Sequence, residues 1–430
     1  MVSTEEIATR QSPVPDSSPS RSLVSILTGQ LTAASRRHRR RHEGRWWIFA
    51  TILLVLVAYL AFLVDPYRFD LRIYRAAAGA ALKGASVYGT GDGDPHPPFT
   101  YPPFALLPLV PFALASLWVA TVAWFAVSMG CLYAAAAICL RAIGRSATPV
   151  HAAAIAGLAA VALQPMRSTL GLGQINTVLL LMVLADALVV SRRRRGILIG
   201  LAGALKLTPL VFLAWFVVAR DRAAALRGAA TFGFATALAW SIFPEDSARF
   251  WLRDLVDLGR IGRLGDPLNQ SWNGTVERLV GSGGLASVLW ALLAVATVLV
   301  GLICARRLAD CGFGLAAVSA VAVAGLLVSP VSWAHHWVWV FPAAVAGWRL
   351  RHDKPTLAWA SAALVAVTAV SPWQLGDVPL VRDAWVIAGA AWLVVALAAD
   401  RGAHPVRGAR PNRPTDAEAA MSSSFHDSLG

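Results

Sequence analysis

Blocks of apolar residues, each about 15 to 25 residues long, alternate along this chain with shorter polar segments. The blocks are evenly apolar and lack the in–out alternation expected of barrel strands. Because hydrocarbon offers a peptide group no hydrogen-bond partner, each crossing segment has to satisfy its own backbone, as an α-helix does. The pattern therefore predicts an all-α fold, a polytopic membrane helical bundle with about 10 to 12 transmembrane helices.

One of the predicted membrane segments, Ile197–Ala219, differs from the others. Arginines adjoin both of its ends, so both ends are expected on the same side of the membrane. Lys206–Pro209 lies at its centre, and proline interrupts a helix, which predicts that the segment enters the membrane and returns. The other predicted segments are Trp46–Val64, Leu117–Leu140, Val150–Leu163, Thr177–Val190, Ala229–Phe243, Leu285–Cys304, Phe313–Val328, Trp337–Trp348, Thr356–Val370 and Ala384–Ala399.

The distribution of charge indicates the topology. The net charge is +14, and basic runs such as Arg36–Arg41 and Arg192–Arg195 adjoin the apolar blocks. Basic residues collect on the cytoplasmic side of membrane proteins, so the excess charge predicts two cytoplasmic termini. It favours membrane lipids as partners and argues against a nucleic acid. Residues 1–45 and 401–430 are predicted to be disordered cytoplasmic tails that flank a membrane domain at 46–400.

The first external loop contains the acid of greatest interest. Asp70 follows the first predicted span and precedes Leu71–Ala85, whose apolar spacing predicts an amphipathic helix on the outer surface. A carboxylate that is partly desolvated beside lipid gains proton affinity and can act as a base. Asp70 is therefore the candidate catalytic base, and Asp65 competes with it. The alternative is a solvated acid, or one neutralised by Arg68 or Arg72.

Two further groups of charged or titratable residues lie in or beside apolar segments. Lys206 is costly at membrane depth unless it is paired or hydrated. It either attracts a phosphate or forms a structural ion pair with Asp186, the other charge at that depth. His335 and His336 lie at an external helix junction, where a histidine can donate to a lipid phosphate. Adjacent imidazoles on a helix point about 100° apart, which predicts that at most one of them faces a cavity with Asp70.

Polar and aromatic residues at other external junctions are candidates for substrate binding. Gln174 and Asn176 stand at the start of a predicted helix, where they hold a sugar hydroxyl or a phosphate, or cap the helix. Trp333 is either part of the same site or an ordinary interfacial aromatic residue. The long external loop Glu245–Gly284 is rich in arginine and acids, which suits a glycan or a lipid headgroup.

Five stretches, taken together and in this order, resemble a known family. They are Pro66–Tyr74, Phe99–Phe104, Gly173–Asn176, Lys206–Pro209 and Ser329–Trp339. The family comprises the actinobacterial polyprenyl-phosphate-mannose-dependent α-(1→2)-mannosyltransferases of glycosyltransferase family 87, which have the GT-C membrane fold. The resemblance spans nearly the whole membrane domain.

The resemblance implies a reaction and a set of site residues. The donor would be mannose linked through phosphate to a polyprenol, on the outer face of the plasma membrane. The acceptor would be a mannosylated glycolipid, a phosphatidylinositol mannoside or lipomannan. Inversion at the sugar would need one base, Asp70. The other implied residues are His335, His336 and Lys206 for the donor phosphate, and Arg72, Tyr101, Gln174, Asn176 and Trp333 for the substrates.

No cofactor and no metal ion are expected. A phosphate is a good leaving group, so inverting transfer needs no second acid. Asp92-Gly93-Asp94 is the nearest approach to a metal-binding acidic motif, and it is interpreted as a glycine-rich turn. Two alternatives stay open: a GT-C transferase for another lipid-linked sugar such as arabinose or glucose, or a polytopic lipid or sugar transporter. A transporter would be expected to show an internal repeat and short external loops.

Overall fold

The computed structural model describes residues 69–88, 99–145, 147–376 and 378–399. Within these ranges every regular element is a helix, and the only β-type pairing is an isolated bridge between Asn269 and Trp333. The prediction of an all-α fold is confirmed. The predicted span Trp46–Val64, the competing acid Asp65, the Asp92–Asp94 turn and both predicted tails lie outside the described residues.

Helices follow one another closely along the chain, and several begin at recognisable caps. The α-helices are α1 (Phe69–Leu82), α2 (Leu106–Leu114), α3 (Leu117–Ala142), α4 (Pro149–Ala162), α5 (Gln164–Leu172), α6 (Asn176–Leu188), α7 (Ile197–Leu205), α8 (Val211–Val218), α9 (Arg222–Ile242), α10 (Pro244–Arg249), α11 (Trp272–Val280), α12 (Gly284–Asp310), α13 (Gly314–Val328), α14 (Val340–Leu350), α15 (Pro355–Thr368), α16 (Pro379–Arg382) and α17 (Ala384–Ala398). Ser116 accepts a hydrogen bond from the Val119 N–H ahead of α3, and Asp221 accepts one from Ala224 ahead of α9.

The observed helices overlap every predicted span among the described residues. By length and composition, α3 and α12 are long and apolar enough to cross a membrane, and α4 and α5, bent by 88° at their junction, would make a third as a pair. Other apolar helices in the described ranges are shorter. The chain is thus a helical membrane protein, and the total number of crossings and their direction stay predictions.

The segment that is predicted to enter and return does double back. It forms α7 and α8, separated by a break at Lys206. The Arg195 guanidinium, just before α7, lies 3.6 Å from the carboxylate of Asp221, just after α8. A straight helix over the same residues would separate these ends by about 35 Å. The two ends therefore lie together, and Lys206 lies at the turn between them.

Small residues let neighbouring helices approach closely. A Cβ at Gly200 of α7 would lie 2.4 Å from the Gly228 carbonyl oxygen of α9, and one at Gly301 of α12 would lie 2.5 Å from the Ala324 Cβ of α13. Such contacts are typical of helix packing in membranes. The opposite face of α12 is exposed and apolar, as expected of a lipid-facing helix. Its residues are Leu285, Val288, Leu292, Val295, Leu299 and Ile303.

Two helical regions were not expected from the apolar pattern. Helix α5 is not predicted, because its mixed polar composition interrupts the apolar blocks. The sequence indicates only residues that precede the next helix. The long loop predicted at Glu245–Gly284 contains α10, a π-helix at Phe250–Asp254, a 3₁₀ helix at Leu258–Ile261 and α11. Both regions border the cavity described next.

Candidate active site

A cavity of about 950 Å³ opens between segments that are far apart in the sequence. Its lining comes from the start of α1, the end of α5, the α7–α8 turn, the π-helix with its following loop, and the segment after α13. The cavity brings together most residues predicted for the site. They are Asp70, Tyr101, Gln174, Lys206, Trp333, His335 and His336.

Two predicted substrate-binding residues do not line this cavity. Arg72 is exposed on α1, because a helix that turns Asp70 and Tyr74 inward turns the residue between them outward. Asn176 is buried, and its amide is occupied at both ends. Its Nδ2 donates to the His335 carbonyl oxygen at 2.8 Å, and its Oδ1 accepts from Lys206 Nζ at 3.2 Å. Asn176 thus positions two cavity residues.

Asp70 lies in the first turn of α1 and is half-buried. Its removal from water is the dominant influence and raises the pKa of the carboxyl to about 6. A hydrogen bond from the Gln174 side chain, and then the positive charge of Lys206, act in the lowering direction. A carboxylate whose pKa lies near neutrality is well suited to accept a proton from a substrate hydroxyl.

Gly173 allows Gln174 to lie beside Asp70. Its φ is +73°, and a Cβ at this position would lie 2.8 Å from the Leu71 Cβ. Only glycine combines a left-handed backbone with so close an approach at little cost. The end of α5 therefore packs directly against the start of α1, and Gln174, the residue that follows, reaches Asp70.

Two tyrosines fix the orientation of the Gln174 amide. Its Oε1 accepts hydrogen bonds from the Tyr74 hydroxyl at 3.0 Å and the Tyr101 hydroxyl at 2.8 Å. The oxygen is thereby occupied, which leaves the NH₂ group as the donor toward Asp70. The sequence pattern does not single out Tyr74, because its partner Gln174 is 100 residues away along the chain.

Lys206 extends into a polar group on the same side of the cavity. Its Nζ lies 2.9 Å from His336 Nε2, 3.2 Å from Asn176 Oδ1 and 3.3 Å from the Tyr101 hydroxyl. The structural ion pair with Asp186 does not form. Both carboxylate oxygens of Asp186 instead accept backbone N–H groups at the start of α7. Lys206 lines the cavity instead, and its attraction of a phosphate stays a prediction.

Both histidines line the cavity, so the expectation that at most one would do so is wrong. They lie in a 3₁₀ segment, Ala334–Trp339, and not in an α-helix, and their rings meet edge to face with centroids 4.6 Å apart. Burial, and then the charge of Lys206, lowers the pKa of His335 and His336 well below the usual range. His336 is therefore neutral, and its Nε2 accepts a hydrogen bond from Lys206.

The histidine segment is held from the other side by the long loop. Asn269 accepts the Ser332 N–H at 2.9 Å through its Oδ1 and donates to the Pro330 carbonyl oxygen at 3.2 Å. The Trp337 indole donates to the Gln270 carbonyl oxygen at 3.1 Å. These loop residues are buried and bind backbone, so they stabilise the segment that carries Trp333, His335 and His336 and do not themselves face the cavity.

Asp254 and Asp266 are further acids that line the cavity, and the first of them stands at the end of the π-helix. The Oδ2 of Asp254 lies 3.4 Å from Arg249 Nε and 3.7 Å from Arg260 Nη1. The sequence shows Asp254 only as one acid among several arginines in a long loop. Its position depends on helix geometry and on contacts across the chain, which the apolar pattern does not show.

The cavity brings a proton acceptor and a positive charge together. Asp70 can take a proton from a hydroxyl group that enters the cavity. Lys206 supplies a positive charge to the same cavity, where an anionic leaving group can be stabilised by a preorganised donor. The site therefore suits nucleophilic attack by a hydroxyl with departure of an anion.

The chain matches the family model described as Glycosyltransferase family 87 over residues 99–330. This range contains Tyr101, Gln174 and Lys206, and it ends just before the histidine segment. No solved structure matches the chain.

Curated relatives extend the similarity over most of the chain. Two of them are named polyprenol-phosphate-mannose-dependent alpha-(1-2)-phosphatidylinositol mannoside mannosyltransferase. The one from Mycobacterium tuberculosis is 36% identical over 74% of this chain and 80% of its own length. The one from Mycolicibacterium smegmatis is 36% identical over 79% of this chain and 84% of its own length. A second M. tuberculosis protein, named as the corresponding phosphatidylinositol pentamannoside mannosyltransferase, is 33% identical over 81% of this chain and 84% of its own length.

Proposed function

Because this chain belongs to glycosyltransferase family 87, we propose that it transfers mannose from polyprenyl-phosphate mannose to a phosphatidylinositol mannoside, forming an α-(1→2) linkage. The relatives bear names that state this donor, this linkage and acceptors of this class. The observation in this chain that carries the proposal is the cavity itself, which is lined by Asp70, Lys206 and His336 together.

Asp70 acts as the base in this reaction. It accepts the proton of the acceptor's 2-hydroxyl as that oxygen forms a bond to the anomeric carbon of the donor mannose. The bond from that carbon to the phosphate oxygen breaks, and its electron pair leaves with the polyprenyl phosphate. Attack from the side opposite the leaving group inverts a β-linked donor to an α-linked product. One base is sufficient, because the departing phosphate needs no proton.

Lys206 and His336 serve the leaving group. The ammonium of Lys206 attracts the phosphate and stabilises the charge that develops on it. Neutral His336 accepts from Lys206 and thus holds the ammonium in place, together with Asn176 and Tyr101. Trp333 and His335 also line the cavity and can contact the sugars.

The reaction is proposed to be independent of a metal ion. The charge on the phosphate is met by side chains, and no step described above requires a Lewis acid. Transfer measured with an excess of chelator should equal transfer without it. A loss that is restored by a divalent cation would contradict this part of the proposal.

The cavity is proposed to open on the external face of the plasma membrane. In support, the Arg195–Asp221 pair lies at the joined ends of the α7–α8 hairpin, whereas Lys206 lies at its turn, in the cavity. Basic residues favour the cytoplasm, which leaves the turn toward the outside. A cysteine replacing exposed Ser282 should react with a membrane-impermeant maleimide in intact cells, and one replacing exposed Arg193 only after lysis, in a Cys311→Ser background. The reverse pattern would contradict the orientation.

The activity is tested with membranes that contain the chain, supplied with labelled polyprenyl-phosphate mannose and a phosphatidylinositol mannoside. The expected product carries one more mannose, and linkage analysis shows it at the 2-position in the α configuration. Asp70→Asn at equal protein level is the matched control, and it should lose transfer. Absence of mannose transfer by the unaltered chain, or a different linkage, would overturn the proposal.

A further inference from the structure

Besides Asp70, the cavity is lined by two carboxylates, Asp254 and Asp266, for which the reaction above has no use. Asp254 ends the π-helix Phe250–Asp254, lines the cavity and is 5% exposed. π-Helical turns are rare and occur mainly at functional sites. A buried carboxylate is costly unless its oxygens are supplied with donors.

One oxygen of Asp254 has no hydrogen-bond donor among the described residues. Its Oδ2 makes no hydrogen bond, although the guanidinium groups of Arg249 and Arg260 lie at ion-pair distance. This oxygen is enclosed, and the two positive charges compensate it. The carboxylate as a whole lines the cavity, where a ligand hydroxyl can donate a hydrogen bond to it.

Arg260 is held by other groups, which restricts it from serving as that donor. Its Nε donates to the Asp254 backbone carbonyl at 3.0 Å, and its Nη1 donates to the Phe99 carbonyl, also at 3.0 Å. The guanidinium also lies over the ring of Tyr88, 5.5 Å from the centroid. These contacts fix the loop that carries Asp254 to the segment that carries Tyr101. The position of Asp254 is therefore fixed relative to the segment that carries Tyr101.

We propose that Asp254 accepts hydrogen bonds from hydroxyl groups of the acceptor's terminal mannose and so holds that sugar for attack. This inference rests on the proposed function. A carboxylate accepts hydrogen bonds from the neutral, hydroxyl-rich acceptor sugar, and Lys206 is available for the donor phosphate. A cavity of about 950 Å³ lies at the upper end of ligand pockets, which leaves room for a second sugar beside the one being transferred.

Trp333 is placed to support the same sugar. It lines the cavity and packs against Gly262, eight residues beyond Asp254, where a Cβ would lie 3.1 Å from the indole ring. The loop and the tryptophan thus form one wall. An aromatic face beside a carboxylate offers a sugar both an apolar contact for its C–H groups and an acceptor for its hydroxyls.

The test compares Asp254→Asn with Asp257→Asn, a matched change of an exposed acid in the same loop. Asparagine keeps the size of the side chain and removes its charge and one acceptor oxygen. For Asp254→Asn we expect the acceptor KM to rise at least about tenfold, while the donor KM and the turnover at saturating acceptor stay within about threefold. Asp257→Asn should leave all three values within about twofold.

A panel of acceptors supplies a second readout that a structural role would not change. The panel contains three acceptors whose terminal mannose lacks the 3-, the 4- or the 6-hydroxyl. The unaltered chain should use at least one of them at least about tenfold less efficiently than the complete acceptor. Asp254→Asn should lose most of that discrimination, because the hydroxyl and the carboxylate are partners. The panel on the unaltered chain tests the proposal even if Asp254→Asn fails to fold.

Several results would overturn the inference. Three of them concern folded Asp254→Asn: an unchanged acceptor KM, a rise confined to the donor KM, or a loss of turnover alone. The fourth is equal use of all three deoxy acceptors by the unaltered chain. These outcomes differ from failure of the proposed function, in which the unaltered chain transfers no mannose to any acceptor.

Discussion

Two of the carboxylates that line the cavity, Asp70 and Asp254, have different surroundings. Asp70 faces a neutral amide, and the amide is held by two phenols. Asp254 lies between two guanidinium groups and retains an oxygen without a hydrogen-bond donor among the described residues. The same residue type thus stands once in a setting that suits proton transfer and once in a setting that suits the binding of hydroxyl groups. We expect the two to separate in kinetics as turnover and acceptor binding.

Asp70→Asn tests this separation with the largest expected effect. Removal of the base should lower turnover by about 10² to 10⁴-fold, because an amide accepts no proton from the acceptor hydroxyl. The acceptor KM should change little. Initial rates over a range of acceptor concentrations, beside Asp254→Asn prepared in the same way, give both values. If turnover and acceptor KM changed in the same way in both variants, the proposed difference between the two carboxylates would be contradicted.

Lys206→Gln should produce the next largest effect. Glutamine keeps much of the length and polarity of the lysine but brings no positive charge to the phosphate, so turnover should fall by about 10² to 10³-fold. The measurement is the rate at saturating donor and acceptor. His336→Asn is the companion variant. It should lower turnover less than Lys206→Gln does, because it disturbs the position of the Lys206 ammonium but leaves its charge. A Lys206→Gln enzyme with normal turnover would exclude the lysine from catalysis.

The pH dependence follows from the raised pKa of Asp70. The base works when it is deprotonated, so kcat/KM should decline as the pH falls through about 6, the pKa of its carboxyl. At pH 5 the rate should be about tenfold below its plateau. Gln174→Leu removes a hydrogen bond that lowers this pKa, so the decline should begin at a higher pH. A profile that is flat between pH 5 and 8 would contradict the assignment of the base.

Arg72→Ala should have the smallest effect. The side chain is exposed on α1 and does not line the cavity, although it lies two residues from Asp70. Transfer should stay within about twofold of the unaltered chain, as is usual for surface substitutions. A large loss in this variant would show that the substrate extends over the outside of α1, beyond the cavity.

The sequence predicts well what depends on local pattern. Apolar blocks predict the helices, and an acid after the first span and a lysine in a proline-interrupted segment predict two residues that the fold brings to one cavity. The break at Lys206 is also local, because Pro209 and the adjoining arginines determine it. These features needed no knowledge of contacts between distant parts of the chain.

Other parts of the site depend on distant contacts or on helix type. Tyr74 orients Gln174 from 100 residues away, and Arg260 is fixed by the Phe99 carbonyl, 161 residues away. Both His335 and His336 line the cavity, although adjacent side chains diverge in a 3₁₀ helix as they do in an α-helix, so helical angle alone does not decide which residues reach it. Asp254 faces the same cavity from a π-helix. Patterns based on α-helical periodicity cannot show such placements.

The role of Asp70 as the base is tested most directly by supplying a nucleophile that has no proton to lose. Asp70→Ala, given labelled polyprenyl-phosphate mannose and sodium azide, should form α-mannosyl azide while it fails to mannosylate the lipid acceptor, because azide attacks the anomeric carbon without a base. Lys206→Gln, treated in the same way, should not be rescued. Formation of no mannosyl azide by Asp70→Ala, or of its β-anomer, would contradict the account.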